Sequence, residues 1–182
     1  MKPTVLVTFG TRPEALKLAP VIQALREQRR LRCVVCLTAQ HREMVDQVIQ
    51  QLRIPIHVDL NVMMANQTLD ALSQRLFPKL TKVFKAFKPQ LVVVQGDTTT
   101  AAVVALRAFY EKIPIAHVEA GLRSFDKLQP FPEEMNRRMI SHLADLHFAP
   151  TQRAKENLLR EGIQPVVLGL EEVAKSMTSS HG

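Results

Sequence analysis

Leu91-Val92-Val93-Val94-Gln95-Gly96-Asp97-Thr98-Thr99-Thr100 is the stretch from which the fold can be read. Its unbroken, valine-rich apolar run has no polar face, as expected of a strand in a parallel sheet covered on both sides. Gly96 ends the run, and a helical pattern follows from about Thr99 to Glu111. The same grammar recurs in both directions. Upstream, Val5-Leu6-Val7-Thr8-Phe9 stops at Gly10 and is followed by Leu18, Val21, Ile22 and Leu25 at helical spacing. Residues 31–38 make a second apolar run, Val45, Val48, Ile49 and Leu52 a second helical stripe, and residues 56–60 a short strand. Leu69, Leu72, Leu76, Leu80, Val83, Phe84 and Phe87 mark a long helix, which Pro78 is expected to kink or divide. Downstream, Ile113 to Val118 is a strand. A loop bounded by Pro130 and Pro132 leads to a helix ending near Ala144, then a brief strand from Leu146 to Ala149 and a short helix over 151–161 closed by Gly162. Val166-Val167-Leu168 reads as a last strand and residues 176–182 as a frayed tail. Repeated strand–helix units of this kind give an α/β class, a doubly wound parallel sheet that is Rossmann-like.

Composition narrows the function. The 182 residues carry 24 Lys+Arg against 17 Asp+Glu, a formal charge of +7, with 46 % apolar residues. That is a globular composition. There is no Trp and one Tyr, so stacking platforms for single-stranded nucleic acid are poorly supplied. Arg75, Lys79, Lys82, Lys85 and Lys88 fall on one helix face and read as ordinary solvated surface. Cys33 and Cys36 lie three apart in a strand, on opposite faces, and read as buried thiols rather than a redox or metal pair. No apolar run approaches the ~20 residues of a membrane span, and the N-terminus lacks the apolar core of a signal peptide. The expected location is the cytoplasm.

In doubly wound sheets ligands bind outside the carboxyl ends of the strands. After the first strand come Gly10-Thr11-Arg12-Pro13-Glu14. Thr11 and Glu14 are spaced as a capping box. Arg12 at the positive end of a helix is unfavourable unless it meets an anion, so it reads as a phosphate ligand. Gln40-His41-Arg42-Glu43 follow the second strand, and His41 is either structural, a catalytic base or a group that positions a ligand. Asp97 is either the N-cap of its helix or a functional carboxylate. Glu119 ends an apolar strand, where a carboxylate has little reason to be unless the crevice needs it. Glu133 and Glu134 open a helix, where one acid is an ordinary dipole partner. Carboxylates gathered beside an arginine suit proton transfer on a phosphorylated or nucleotide-linked substrate. A metal, with His117 and Glu119 as ligands, is the competing reading and ranks lower. There is no G-x-G-x-x-G fingerprint and no P-loop.

Taken in order, Gly10-Thr11-Arg12-Pro13-Glu14, Gln40-His41-Arg42-Glu43-Met44, Gly96-Asp97-Thr98-Thr99-Thr100, His117-Val118-Glu119-Ala120-Gly121-Leu122-Arg123 and Pro132-Glu133-Glu134-x-Asn136-Arg137 closely resemble the non-hydrolysing UDP-N-acetylglucosamine 2-epimerase family. The resemblance runs from about Val5 to Gly162. It implies the N-terminal half of a glycosyltransferase-B-like fold and interconversion of UDP-N-acetylglucosamine and UDP-N-acetylmannosamine. In that chemistry UDP is eliminated to a 2-acetamidoglucal and added back, with no metal or nicotinamide cofactor. The resemblance makes Asp97, Glu119 and Glu133 the acid/base carboxylates and Arg12, His41 and Arg137 substrate-binding residues, with Glu133 preferred to Glu134 by motif alone. It divides the chain into a Rossmann-like N-terminal unit, 1–165, and a divergent tail, 166–182, without the family's second domain. The expectation is a truncated form with little epimerase activity alone. The alternatives are a non-catalytic binding or oligomerisation module and half of a related UDP-sugar hydrolase. The expected partner is a UDP-sugar, with a homodimer left open and neither nucleic acid nor membrane.

Overall fold

A computed structural model describes residues 2–38, 42–62, 64 and 67–164. His41, the strand expected at 166–168 and the tail lie outside the described residues. Among the described residues six parallel strands are linked by helices: β1 (Thr4–Phe9), α1 (Arg12–Glu27), β2 (Arg32–Leu37), α2 (Arg42–Gln51), β3 (Val58–Asp59), α3 (Leu69–Phe87), β4 (Leu91–Gln95), α4 (Thr99–Tyr110), β5 (Ile115–Val118), α5 (Glu133–Leu143), β6 (Leu146–Phe148) and α6 (Gln152–Arg160). The sheet order is β3-β2-β1-β4-β5-β6, the doubly wound Rossmann order. Strand order reverses between β1 and β4, so their carboxyl ends open a crevice there.

Alternation along each buried strand builds two cores. Leu6, Val34, Val92 and Val94 face one way and pack with the apolar stripes of α3, α4 and α5. Val5, Val7, Val35 and Val93 face the other and pack with α1 and α2. Cys36 belongs to the first core and Cys33 borders the second, so the two thiols point apart and both are free.

Pro78 does not divide its helix. α3 runs continuously from Leu69 to Phe87. Leu72 and Leu76 before the proline and Leu80, Val83 and Phe84 after it are all buried in one core, and that burial outweighs the ~3 kcal/mol an internal proline costs. The basic face of α3 is also not wholly solvated. Arg75 donates to the Val62 carbonyl and to Gln67, and Lys79 donates to the carbonyls of Leu60 and Asn61. Both side chains thereby fasten the segment that follows β3.

Candidate functional site

The crevice is built from the turns after β1, β4 and β5 and from the first turn of α5. Thr11 caps α1 and Glu14 completes the capping box as the sequence suggests. Glu14 does more than cap. Its Oε2 accepts from the N–H groups of Gly10 (2.8 Å) and Thr11 (2.7 Å), and its Oε1 accepts from the Thr98 hydroxyl (2.8 Å) across the switch point. Burial raises the pKa of this carboxyl, and the donors from Gly10, Thr98 and Thr11 partly offset the rise. The turn's backbone donors are therefore spent on Glu14. An anion arriving at α1 meets chiefly the exposed side chain of Arg12, which no described side chain pairs with.

The N-cap of α4 is Thr98, whose hydroxyl accepts from the Ala101 N–H. The capping role that could have explained Asp97 is thus filled by its neighbour. Asp97 instead pairs with the Arg137 guanidinium of α5. Asn136, one residue earlier, donates to the Asp97 carbonyl at 2.9 Å. Burial raises the Asp97 pKa; Arg137 opposes the rise, and the nearby charges of Glu133 and Glu119 reinforce it. The net direction is upward, toward a carboxyl that can hold a proton closer to neutrality.

Glu119 follows β5 directly and adopts φ +66°, a left-handed conformation that costs a non-glycine residue roughly 1 kcal/mol or more. The turn aims its carboxylate back over the sheet end, where Gln95 of β4 donates to it and Lys17 of α1 meets both of its oxygens. Lys17 has no motif of its own at sequence level. The available signal is its position one turn beyond Glu14 on the same face of α1.

Adjacent glutamates at the start of α5 are separated by their surroundings. Glu134 is fully buried, accepts from the Ser124 N–H (2.9 Å), the Phe125 N–H and Arg138, and so holds the preceding loop in place. Burial pushes its pKa up, but these donors outweigh burial and leave it low. Glu133 is half-buried, and its charge is felt at Asp97.

His117 is not placed as a metal ligand. It is fully buried in β5 with Nε2 2.7 Å from the Gly96 carbonyl, and burial pushes its pKa down to about 4. Among the described residues no group of His, Cys, Asp and Glu could hold a metal ion. Behind the crevice, Gly121 (φ +89°) packs against α6 so closely that a Cβ would lie 2.2 Å from the Ala154 carbonyl oxygen. Asn157 donates to the Gly121 carbonyl, and buried Arg123 pairs with Glu161 and donates to Ser141. These contacts fix the segment that carries Glu119.

The structure therefore brings Asp97, Glu119, Glu133 and Arg137 together, with Arg12 at the facing helix end and Lys17, Gln95 and Asn136 added to the set. A sheet of this order with this crevice has solved counterparts. The UDP-GlcNAc 2-epimerase of Neisseria meningitidis, solved bound to UDP-GlcNAc, superposes with TM-score 0.84 at 50 % identity over 88 % of this chain and 44 % of that one. The Methanocaldococcus jannaschii UDP-GlcNAc 2-epimerase, solved with UDP-GlcNAc and UDP, superposes with TM-score 0.81 at 40 % identity over 90 % and 44 % of the two chains. In sequence, the chain is 51 % identical over 159 residues to the UDP-N-acetylglucosamine 2-epimerase of Neisseria meningitidis and 50 % identical to that of Salmonella typhimurium, covering 87 % of itself in each case. It spans about four-tenths of the length of these relatives, 43 % and 42 % respectively. The family model described as UDP-N-acetylglucosamine 2-epimerase matches residues 23–169, most of the chain, leaving out β1, the turn after it and α1 as far as Ile22. By this match the chain belongs to the UDP-N-acetylglucosamine 2-epimerase family.

Proposed function

We propose that the crevice between β1, β4 and β5 binds a UDP-sugar and carries the proton transfers of UDP-N-acetylglucosamine 2-epimerisation. The observation that carries this reading is the convergence of Asp97, Glu119 and Glu133 beside Arg137 at the switch point, facing an arginine at a helix N-terminus. Arg12 receives the diphosphate. A carboxylate removes the proton at C2 of the sugar while the C1–O bond to UDP breaks, leaving the 2-acetamidoglucal. UDP then adds back at C1 and a protonated carboxyl returns a proton to the opposite face of C2, so atoms and charge balance. Asp97, with its raised pKa and close acidic neighbours, is suited to cycle between the two states. Glu119 is held over the sheet end by an ammonium and an amide and is suited to orient against the sugar. Residues 1–165 act as one Rossmann-like unit in this reading, with 166–182 a divergent tail. Two free thiols and the absence of a membrane-crossing helix among the described residues fit a cytoplasmic setting.

The test is incubation of UDP-N-acetylglucosamine in D2O with the chain, alone and with the remaining portion of the Neisseria meningitidis relative supplied as a separate polypeptide. The expected product is UDP-N-acetylmannosamine deuterated at C2, abolished by Asp97→Asn. Free UDP with N-acetylmannosamine would assign hydrolysis instead, and unlabelled substrate in both mixtures would overturn the proposal.

A further inference from the structure

Because every strand runs parallel, the helices between them all end at the rim of the sheet opposite the crevice. That rim collects much of the chain's positive charge. α1 finishes with Arg26 in its last turn, and exposed Arg29, Arg30 and Arg32 lead into β2. α3 ends in Lys85 and its cap Lys88, and Lys112 follows α4. Contacts join these pieces. The Arg32 guanidinium lies 5.5 Å from the centroid of the Phe87 ring, at the end of α3. Lys85, Lys88 and Lys112 line one open cavity of about 420 Å³. The acidic residues within 26–32, 85–90 and 111–114 are Glu27 and Glu111, and Glu111 is engaged by Arg107.

Helix dipoles account for Arg26 and Lys85, which sit in last turns. They do not account for the run beyond α1. Beside Lys112, at the end of α4, Phe109 and Tyr110 are 54 % and 61 % exposed. Cations interspersed with exposed aromatic rings are the composition of surfaces that settle into the headgroup layer of a membrane.

We propose that this rim docks the protein onto an anionic lipid surface, with the crevice turned toward solution. A leaflet fits better than a nucleic acid. The cations lie across an end some ~15 Å wide, from β2 to β5, built of separate turns, and they do not line a groove that a polyanionic strand could follow. The proposal is independent of the reaction assigned to the crevice.

The test is flotation of the full chain with phosphatidylcholine vesicles, with and without about 30 % phosphatidylserine, in about 0.1 M NaCl. Each basic residue near an anionic leaflet is worth about fivefold in partition. The triple variant Arg29→Glu, Arg30→Glu, Lys88→Glu is therefore expected to lose about a hundredfold or more. A control of equal charge, Lys127→Glu, Arg153→Glu, Lys155→Glu, changes exposed residues away from the rim and is expected to stay within about threefold of the parent. Circular dichroism checks that both variants fold. Equal losses in the two variants, binding that ignores phosphatidylserine, or tighter binding to a DNA duplex than to the vesicles would each overturn the proposal.

Discussion

The ammonium of Lys17 lies 2.5 and 2.6 Å from the two carboxylate oxygens of Glu119, joining α1 to the end of β5 across the mouth of the crevice. The pair is partly exposed, with side-chain exposures of 47 % and 22 %, so solvent screens it and its share in stability is at most about 1 kcal/mol. Under the proposed reaction its weight falls on function. Lys17→Met is expected to shift the melting temperature by no more than a few degrees while slowing C2 deuteration at least about tenfold. A melting curve and a labelling rate on the same sample check both halves, and a large loss of stability with normal labelling would contradict the assignment.

Glu14 is the link between the turns that bear Arg12 and Asp97. Glu14→Ala leaves the Gly10 and Thr11 N–H groups without a partner inside the fold, while the Thr98 hydroxyl keeps Thr100. The expected loss is about 3 kcal/mol in urea unfolding. Glu14→Gln keeps one acceptor oxygen and is expected to lose roughly half as much. Equal stability of both variants and the parent would show that the clip contributes nothing.

How much of this was legible beforehand differs by element. The apolar runs at Val5–Phe9, 31–38 and Leu91–Gln95 announce parallel strands because both of their faces are buried, and the helical stripes between them are equally plain. Pro78 misleads because local propensity is overridden by a long buried stripe. At the crevice, Asp97 and Glu119 stand out as polar residues at strand ends. Lys17 and the reach of Glu14 to Thr98 do not, since they depend on β1 lying beside β4, a pairing between segments some eighty residues apart; the contact of Gln95 with Glu119 likewise needs β4 to lie beside β5. The difference between Glu133 and Glu134 is likewise invisible in sequence. It arises from which side of one helical turn meets the Ser124–Phe125 loop.

His117 gives the fold an acid limit. Its pKa near 4 in the fold lies below the ~6.5 of an unfolded histidine. The folded state therefore keeps it neutral while the unfolded state gains a proton, and stability is lost as pH falls from about 6.5 toward 4. The contribution is roughly 2 kcal/mol between pH 7 and pH 5. Urea unfolding at those two pH values should show that loss in the parent and a smaller one in His117→Asn. An identical pH dependence in the two proteins would assign the acid limit to other groups.

Gly121 is required twice, by its φ of +89° and by its approach to the Ala154 carbonyl oxygen. Because the clash is with backbone, the neighbour cannot rotate away. Gly121→Ala is expected to cost about 3 kcal/mol or more and to loosen α6 from the segment bearing Glu119. Hydrogen exchange across residues 152–160 reads that loosening directly, and unchanged protection there would contradict it.

The central claim is that a UDP-sugar sits at the β1/β4 switch point. Amide NMR of the full chain, titrated with UDP-N-acetylglucosamine, tests it most directly and tolerates weak binding. The account predicts shifts centred on Thr11–Arg12, Gly96–Thr98 and Glu119–Ala120 that vanish in Arg12→Ala. Shifts centred on the opposite rim, around Arg29 and Lys88, or shifts that survive Arg12→Ala unchanged, would contradict it.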